Sequence, residues 1–302
     1  MAFANLLYSS GMRRSEGGSL LTFEVPSLRL EGGRYCAGRI AAAVTRSKKP
    51  RTFYAASGVV GQVEVYVDSS RALAVRRAQE AGRYERLAGV RVVTGLGGGI
   101  RPTLRWVDQR GRTGERRLTD LTVEERLVLF TEGPRGIEPL WLWLNESGLP
   151  LRVDSWEGVF RAANERCRLV LTPAGAGADP HRVYAPYATP HSCRHSFALV
   201  MLVVLNHLMD RRFGLTPEER RDFRLLYGVP WRMVQDLLGH ASRETTCGIY
   251  LAPVADLQLR ALLAAAPDAD EPLPASVDQV FARIARESEG VQDVAEWLEQ
   301  VA

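Results

Sequence analysis

Strand-like and helical segments occupy different parts of this 302-residue sequence, and this segregation is the strongest constraint on its fold. Residues 27–68 and 89–121 are strand-like, with short β-branched runs between glycines or serines. Helical patterns cover residues 3–16, 70–88 and most of the chain beyond residue 155. Runs of strands followed by runs of helices are typical of α+β folds. The length suits one large domain or two medium ones.

Local patterns predict several individual elements. "VEVYV" at 63–67 indicates a strand, and 139–151 indicates a strand followed by a turn. Thr122 begins a helix-start signature before an apolar run. Residues 155–169 predict an amphipathic helix with one buried face, formed by Trp156, Val159, Phe160 and Ala163. Further helices are expected at 191–212, 216–227, 230–238 (ending at Gly239), from Tyr250 to about 265, and at 277–298.

The charge distribution points to a polyanionic partner. The net charge is +4, but residues 267–302 carry nine acidic and two basic residues, so residues 1–266 carry +11. A basic body with an acidic tail is typical of nucleic-acid-binding proteins, although a solvated surface with a solubilising tail has the same composition. Four scattered cysteines without a CxxC pair argue against a zinc site or a disulfide framework. We therefore expect a cytoplasmic protein without membrane contact, since the longest strongly apolar run has nine residues (197–205). No cofactor is expected, because the glycines at 95–99 are not followed by Gly-Lys-Ser/Thr and are interpreted as a loop.

"HSCRH" at 191–195 is the most concentrated group of polar, chemically active side chains. On a helix, His191 and Arg194 share a face because they are three residues apart. A helix start offers free N–H groups, and an arginine one turn further makes it suited to a phosphate. A metal ion would be repelled by the arginine. The remaining alternative is an ordinary capped helix with polar surface residues.

Four other motifs have both a chemical and a structural interpretation. "YSSGMRRSE" at 8–16 places Arg13 after a glycine turn, with Glu16 able to hold a guanidinium. "VTRSKKPRTFY" at 44–54 predicts a β-hairpin with lysines at its turn. "LLGHAS" puts His240 in a turn after a helix, and Tyr250 follows ten residues later. Taken alone, each motif also has an ordinary structural interpretation. Residues 8–16 could form a basic surface helix and 44–54 a solvated turn. His240 could be an ordinary loop histidine, and Tyr250 could be a packing tyrosine.

Taken in order, these five motifs resemble the tyrosine recombinase (phage integrase) family. The resemblance covers about residues 1–260. It implies a mostly helical α+β catalytic domain with a small antiparallel sheet that carries the lysine hairpin. Residues 55–140 are longer than a minimal member needs and indicate an inserted β-rich segment. The segment 209–228 is also longer.

The resemblance implies a DNA recombinase that cleaves and rejoins strands through a 3′-phosphotyrosine, without a metal ion. Tyr250 would be the nucleophile. Arg13 and Arg194 would hold the scissile phosphate, and His191 would accept the tyrosine proton. His240 would donate a hydrogen bond to the phosphate. Lys48 would protonate the 5′-oxygen leaving group, with Lys49 and Arg46 as alternatives for that position.

The expected organisation is a catalytic domain at 1–265, a linker at 266–276 and a helical tail at 277–302 that docks on a neighbouring copy or on its own domain. The expected partners are double-stranded DNA, further copies in a tetramer on DNA, and accessory DNA-bending proteins. The resemblance also implies association with the bacterial nucleoid. Only twelve residues precede Arg13, where the family has a core-binding domain, so we expect weak, salt-dependent DNA binding by this chain alone. Two alternatives stay open: a type IB topoisomerase-like enzyme, and a DNA-binding remnant without catalysis.

Overall fold

The computed structural model describes residues 1–28, 33–99, 101–171, 187–213 and 230–239. The chain divides into two compact units, Met1–Arg194 and His195–Ala302. The described part combines helices with small antiparallel and mixed sheets, which confirms the α+β class. None of its described helices is long and apolar enough to cross a membrane.

The first unit begins with two helices joined by a glycine turn. Helix α1 (Ala2–Ser10) ends at Gly11, which has φ 61°, and α2 follows at Arg14–Gly18. A left-handed residue is the usual way to end a helix, and glycine adopts it without steric cost. The prediction of a helix, a turn and the start of a second helix at 3–16 is therefore confirmed.

An antiparallel hairpin follows, formed by β1 (Tyr35–Ile40) and β2 (Arg51–Ala56). The connection 41–50 contains a short 3₁₀ turn at Ala42–Val44. The first strand thus ends at Ile40, earlier than the pattern at 44–54 predicts, and both lysines lie in the connection. Gly38 lies opposite Phe53, whose ring occupies the space that a side chain at 38 would need.

The prediction of a strand at "VEVYV" is wrong. Residues 63–66 belong to α3 (Ser57–Tyr66), which continues through a π turn (Val67–Arg71) into α4 (Ala72–Glu80). Val60 and Val63 are three residues apart and both are buried against the core. Packing on this side overrides the β preference of the valines. The helix expected at 70–88 is shorter and ends at Glu80.

A five-stranded mixed sheet lies within residues 91–139, in the segment 55–140 where a β-rich insertion was expected. Its strands are β3 (Arg91–Leu96), β4 (Thr103–Asp108), β5 (Thr113–Arg117), β6 (Leu129–Gly133) and β7 (Gly136–Pro139). Their order is β5-β4-β3-β6-β7, with β3 and β6 parallel and the other pairs antiparallel. One face packs on Leu21 and Leu121, and the other on Tyr84 and Val75.

Helix α5 (Val123–Leu127) connects this sheet to the N-terminal segment. The Thr122 hydroxyl accepts a hydrogen bond from the Glu125 N–H, which confirms the predicted helix start. Arg126 is buried and forms a two-point ion pair with Glu24, at 2.6 and 2.9 Å. Its guanidinium also donates to the carbonyls of Ser19 and Leu121.

The segment 140–151 is extended and closes a turn at Asn145, but it forms only isolated bridges, at Trp141 and Leu144, rather than the predicted strand. Helix α6 (Ser155–Leu171) confirms the next prediction. Trp156 stacks on Phe3 and Phe160 is buried. Val159, expected on the same buried face, is 46% exposed, and Ala163 is exposed too, so that part of the prediction is wrong.

Helix α7 is Pro190–Phe213, and α8 is Pro230–Leu238. Within the second unit, Phe197, Leu202 and Leu205 form an apolar cluster with Val234 and Leu238. Gly239 has φ 63° after α8, which confirms the predicted helix stop. The predicted helix at 216–227, the residues from 240 onward, the linker 266–276 and the tail 277–302 lie outside the described residues.

Candidate functional site

The turn between α1 and α2 sets the position of Arg13. Gly11 reverses the chain in a left-handed conformation and its N–H bonds to the Leu7 carbonyl at 3.0 Å. Met12 is buried beside it, and Arg13 begins α2 with an extended backbone. The Glu16 carboxylate accepts a hydrogen bond from the Arg13 backbone N–H at 2.8 Å. This hydrogen bond holds Arg13 and Glu16 in the same turn.

Glu16 is a fully buried carboxylate that joins three arginines from distant parts of the sequence (the Glu16 cluster: Arg13, Glu16, Arg51 and Arg194). Its side chain is 0% exposed. Arg13 Nη1 lies 3.1 Å from Oε1, and Arg51 Nη2 lies 2.6 Å from Oε2. Arg194 Nη1 lies 3.9 Å from the same Oε2. An ionised carboxylate needs such cationic partners when it is buried, because removing it from water without them costs too much free energy.

The ionisation of Glu16 reflects these contacts. Burial raises the pKa of the carboxyl, but the charge and hydrogen bond of Arg51, the Arg13 backbone N–H and the charge of Arg194 outweigh it and lower the pKa below 4.5 overall. Glu16 is therefore ionised at neutral pH. The ionised carboxylate accepts hydrogen bonds from Arg13 and Arg51, whereas Arg194 lies too far away for a hydrogen bond and contributes its charge.

The structure separates the two adjacent arginines of "GMRRSE". Arg13 turns to Glu16, whereas Arg14 pairs with Asp154 at 3.0 Å and with Glu157 near the start of α6. The side chain of Arg13 remains 23% exposed. Within the described residues, its only guanidinium hydrogen bond is the one from Nη1 to Glu16. Arg13, not Arg14, thus presents partly exposed donors at this cluster.

Helix α7 brings the second arginine to the same place. Thr189 and Ser192 cap the helix reciprocally, since each backbone N–H donates to the other's hydroxyl, and Pro190 occupies the first helical position. The capped helix start considered for "HSCRH" is therefore present. It coexists with a charged cluster, because Arg194 is 2% exposed and donates to the Gly11 carbonyl. That carbonyl belongs to the turn that positions Arg13.

His191 lies one helical turn before Arg194 and is exposed at the surface. Desolvation is the main cause that lowers its pKa below 6.5, and the positive charges of Arg194 and Arg13 lower it further. Because the charges of both arginines lower the pKa of His191, its imidazole lies near the Glu16 cluster. At neutral pH the ring is therefore uncharged and has one nitrogen able to accept a proton.

The three candidates for the hairpin lysine position, Arg46, Lys48 and Lys49, are all exposed in the connection between β1 and β2. Lys48 has a left-handed backbone with φ 54°, and its Nζ donates to the Ala43 carbonyl at 3.2 Å. The Lys49 carbonyl accepts from the Thr45 hydroxyl. No described contact links these three side chains to the Glu16 cluster. His240 and Tyr250 lie outside the described residues.

Arg51 is the member of the cluster that the sequence did not single out. It begins β2 directly after the basic connection, and its side chain is 9% exposed. The available signal was an arginine entering a strand among alternating polar and apolar residues. Its carboxylate partner lies 35 positions earlier, which no local pattern reveals.

Comparison of the chain with protein-family models, with curated proteins and with solved structures yields no match. Guanidiniums held around one acid, with an uncharged imidazole beside them, suit an oxyanion such as a phosphodiester. Among the described residues, no group of three or more histidine, cysteine, aspartate or glutamate side chains is placed to hold a metal ion.

Proposed function

We propose that this chain cleaves and rejoins DNA strands through a covalent 3′-phosphotyrosine, as a site-specific recombinase of the tyrosine recombinase type. One observation carries the proposal. Arg13 and Arg194, which lie 181 positions apart and belong to different motifs, meet on the buried Glu16 carboxylate with His191 one turn away. An ion pair that served folding alone would not require a partly exposed guanidinium and an exposed imidazole at the same buried carboxylate.

In the proposed reaction Arg13 binds the scissile phosphate, and Arg194 places a second positive charge beside it. Arg13 offers its exposed donors to the non-bridging oxygens, and a planar guanidinium suits two of them at once. Arg194 is almost fully buried, so in this arrangement it contributes positive charge. Charge held in place before the reaction stabilises the additional negative charge of the pentavalent transition state.

The bond changes balance without an external energy source. The Tyr250 hydroxyl attacks phosphorus and transfers its proton to His191, while the bond to the 5′-oxygen breaks. Lys48 donates a proton to that oxygen, and the 3′-phosphate stays on the tyrosine. His240 donates a hydrogen bond to the phosphate. Attack by a 5′-hydroxyl of another strand reverses these steps and releases the enzyme.

The experiment that tests the proposal is covalent capture. Because the target site is undefined, the probe is a pool of randomised duplexes with a 5′-bridging phosphorothiolate, whose thiolate leaving group cannot religate efficiently. We expect a denaturation-resistant protein–DNA adduct with the unmodified chain and none with Tyr250→Phe. Arg13→Gln should reduce the adduct strongly, whereas Arg14→Gln, which removes the same charge from the neighbouring position, should not.

The same probe tests the hairpin lysine. A thiolate leaves without protonation, so Lys48→Ala should react normally with the phosphorothiolate but slowly with an ordinary phosphodiester. The corresponding variants of Lys49 and Arg46 should treat both substrates as the unmodified chain does. If the unmodified chain forms no adduct on the pool, the proposed function is wrong. If an adduct forms, assays of supercoil relaxation and two-site exchange separate a topoisomerase from a recombinase.

A further inference from the structure

The β4–β5 hairpin and its flanks (residues 101–117, the arginine hairpin) carry a strong local excess of positive charge. Six arginines stand against two acidic residues, and all six are exposed. Arg112 pairs with Asp108 and Arg116 with Glu125. The guanidiniums of the other four have no ion pair or hydrogen bond within the described part of the chain: Arg101, Arg105, Arg110 and Arg117.

This charge is confined to one end of the sheet. The strand order β5-β4-β3-β6-β7 places the arginine hairpin at one edge. The hairpin at the opposite edge carries two glutamates, Glu132 and Glu138, with a single arginine at its turn, Arg135. Solvation of a β-sheet does not require such a gradient, because alternating charges would achieve it equally well. A gradient is typical of a surface that meets a charged partner.

The two faces of the arginine hairpin have different roles. Leu104 and Trp106 point to the apolar cluster around Leu121, so Arg105 points to the opposite face of the sheet. At this edge of the sheet, Arg105, Glu115 and Arg117 on that face are exposed. Arg105 lies opposite Glu115, and Arg117 is the diagonal neighbour of Arg105 on the same face. Diagonal side chains on an antiparallel pair are about 7–8 Å apart, so the two guanidiniums can engage separate phosphates of one strand.

Local structure holds this face in place. The Arg105 guanidinium lies across Gly95, where a Cβ would be 3.4 Å from its Nη2. The turn is fixed by the Asp108 carboxylate, which accepts the backbone N–H groups of Arg110 and Arg112 at 2.9 Å each. A binding surface that is ordered in advance loses less conformational entropy when its partner binds.

We propose that the outward face of the arginine hairpin, carrying Arg105 and Arg117, binds the phosphate backbone of duplex DNA, in addition to the contacts of the Glu16 cluster. None of the large exposed apolar side chains of the described chain lies within 101–117. A protein partner would require an apolar centre on this surface, whereas a phosphate backbone requires only cationic and polar donors. The choice of DNA over other polyanions rests on the proposed function.

The test compares two double variants that remove the same charge. Arg105→Gln/Arg117→Gln changes the arginine hairpin, and Arg76→Gln/Arg77→Gln changes two exposed arginines of α4. Fluorescence anisotropy measures binding of a mixed-sequence duplex of about 30 base pairs between about 50 and 200 mM NaCl. The hairpin variant should bind on the order of 10-fold or more weakly, with a log–log salt slope smaller by about 1.8, since each phosphate contact contributes about 0.9. The α4 variant should bind within about twofold of the unmodified chain.

The Glu115→Gln variant should bind the duplex more tightly, because it removes the one carboxylate of this face.

These measurements can overturn the inference in two ways, one concerning the role of the hairpin and one concerning the choice of DNA. Equal weakening by the two double variants, or no binding of the duplex by the unmodified chain at the lowest salt, would overturn it. Equal affinity and salt slope for heparin would overturn the choice of DNA. Thermal unfolding of each variant controls for folding. The proposed function is judged separately, because it fails if the unmodified chain forms no Tyr250-dependent adduct, whereas equal DNA affinities of the double variants refute only the role of the arginine hairpin.

Discussion

Replacing Glu16 by glutamine should destabilise the protein more than any surface charge substitution. Glutamine keeps the size of the side chain but removes the charge that Arg51, Arg194 and Arg13 surround. Its amide group would also direct N–H donors at guanidinium donors. Removing one partner of a buried ion pair costs about 3–5 kcal/mol, because the remaining charge stays desolvated. For a unit of about 200 residues, that corresponds to a fall in Tm of roughly 6–20 °C.

The matched control is Glu157→Gln. Glu157 also pairs with an arginine of the same segment, Arg14, but its side chain is 63% exposed. Exposed pairs contribute about 0–1 kcal/mol, so this variant should unfold almost like the unmodified protein. Urea unfolding followed by circular dichroism gives the free energies, and equal m-values would show that the unfolded states are comparable. A Glu16→Gln variant within 1 kcal/mol of the control would refute the reasoning.

Acid dependence provides a second check on the same residue. The pKa of Glu16 in the folded protein lies below its ordinary value of 4.5, so the unfolded chain takes up the proton first as the pH falls. The stability that Glu16 contributes is therefore fully present above pH 4.5 and is lost as the pH falls through the folded pKa. The difference between the unmodified protein and Glu16→Gln should stay constant from neutral pH to about pH 5 and shrink below that range. A difference that grows on acidification would contradict the assignment.

Three further predictions concern separate parts of the first unit. In an NMR titration, the pKa of His191 should lie below 6.5, and Arg13→Gln should raise it because one nearby positive charge is removed; an unchanged value would contradict their proximity. Gly38→Ala should cost about 1–3 kcal/mol, since the new methyl group overlaps the Phe53 ring, while Gly58→Ala, with open space, should be neutral or stabilising by up to about 1 kcal/mol in urea unfolding. Arg126→Met should cost about 3–5 kcal/mol by the same measurement, because it leaves the Glu24 carboxylate buried without its cation.

Elements with local signals were predictable from the sequence. The start of α5 follows from Thr122 and Glu125, the start of α7 from Thr189 and Pro190, and the end of α1 from Gly11. In each case the deciding hydrogen bonds or backbone angles lie within a few residues, so the sequence contains the cause. The same holds for Arg13 and Glu16, whose contact spans three positions.

Other features depend on contacts that no local window contains. The valines at 63–67 prefer a strand, but the buried face that Val63 shares with Val60 makes a helix more stable. The parallel pairing of β3 with β6 joins segments almost forty residues apart. Arg51 was missed for the same reason, because its role depends on a carboxylate that another motif supplies.

The same carboxylate stabilises the fold and positions the arginines of the candidate site. Glu16 holds two arginines that are almost fully buried and one that is partly exposed, and the turn it stabilises carries the carbonyl that Arg194 binds. This arrangement exists only in the folded chain, since its members are spread over 181 positions. An oxyanion that binds Arg13 therefore binds the folded state alone and stabilises it by mass action, by about 2.7 kcal/mol at a concentration of 100 Kd. We therefore expect the protein to unfold at a higher temperature when an oxyanion such as a phosphodiester is present. An ion pair that served the fold alone would give no such stabilisation.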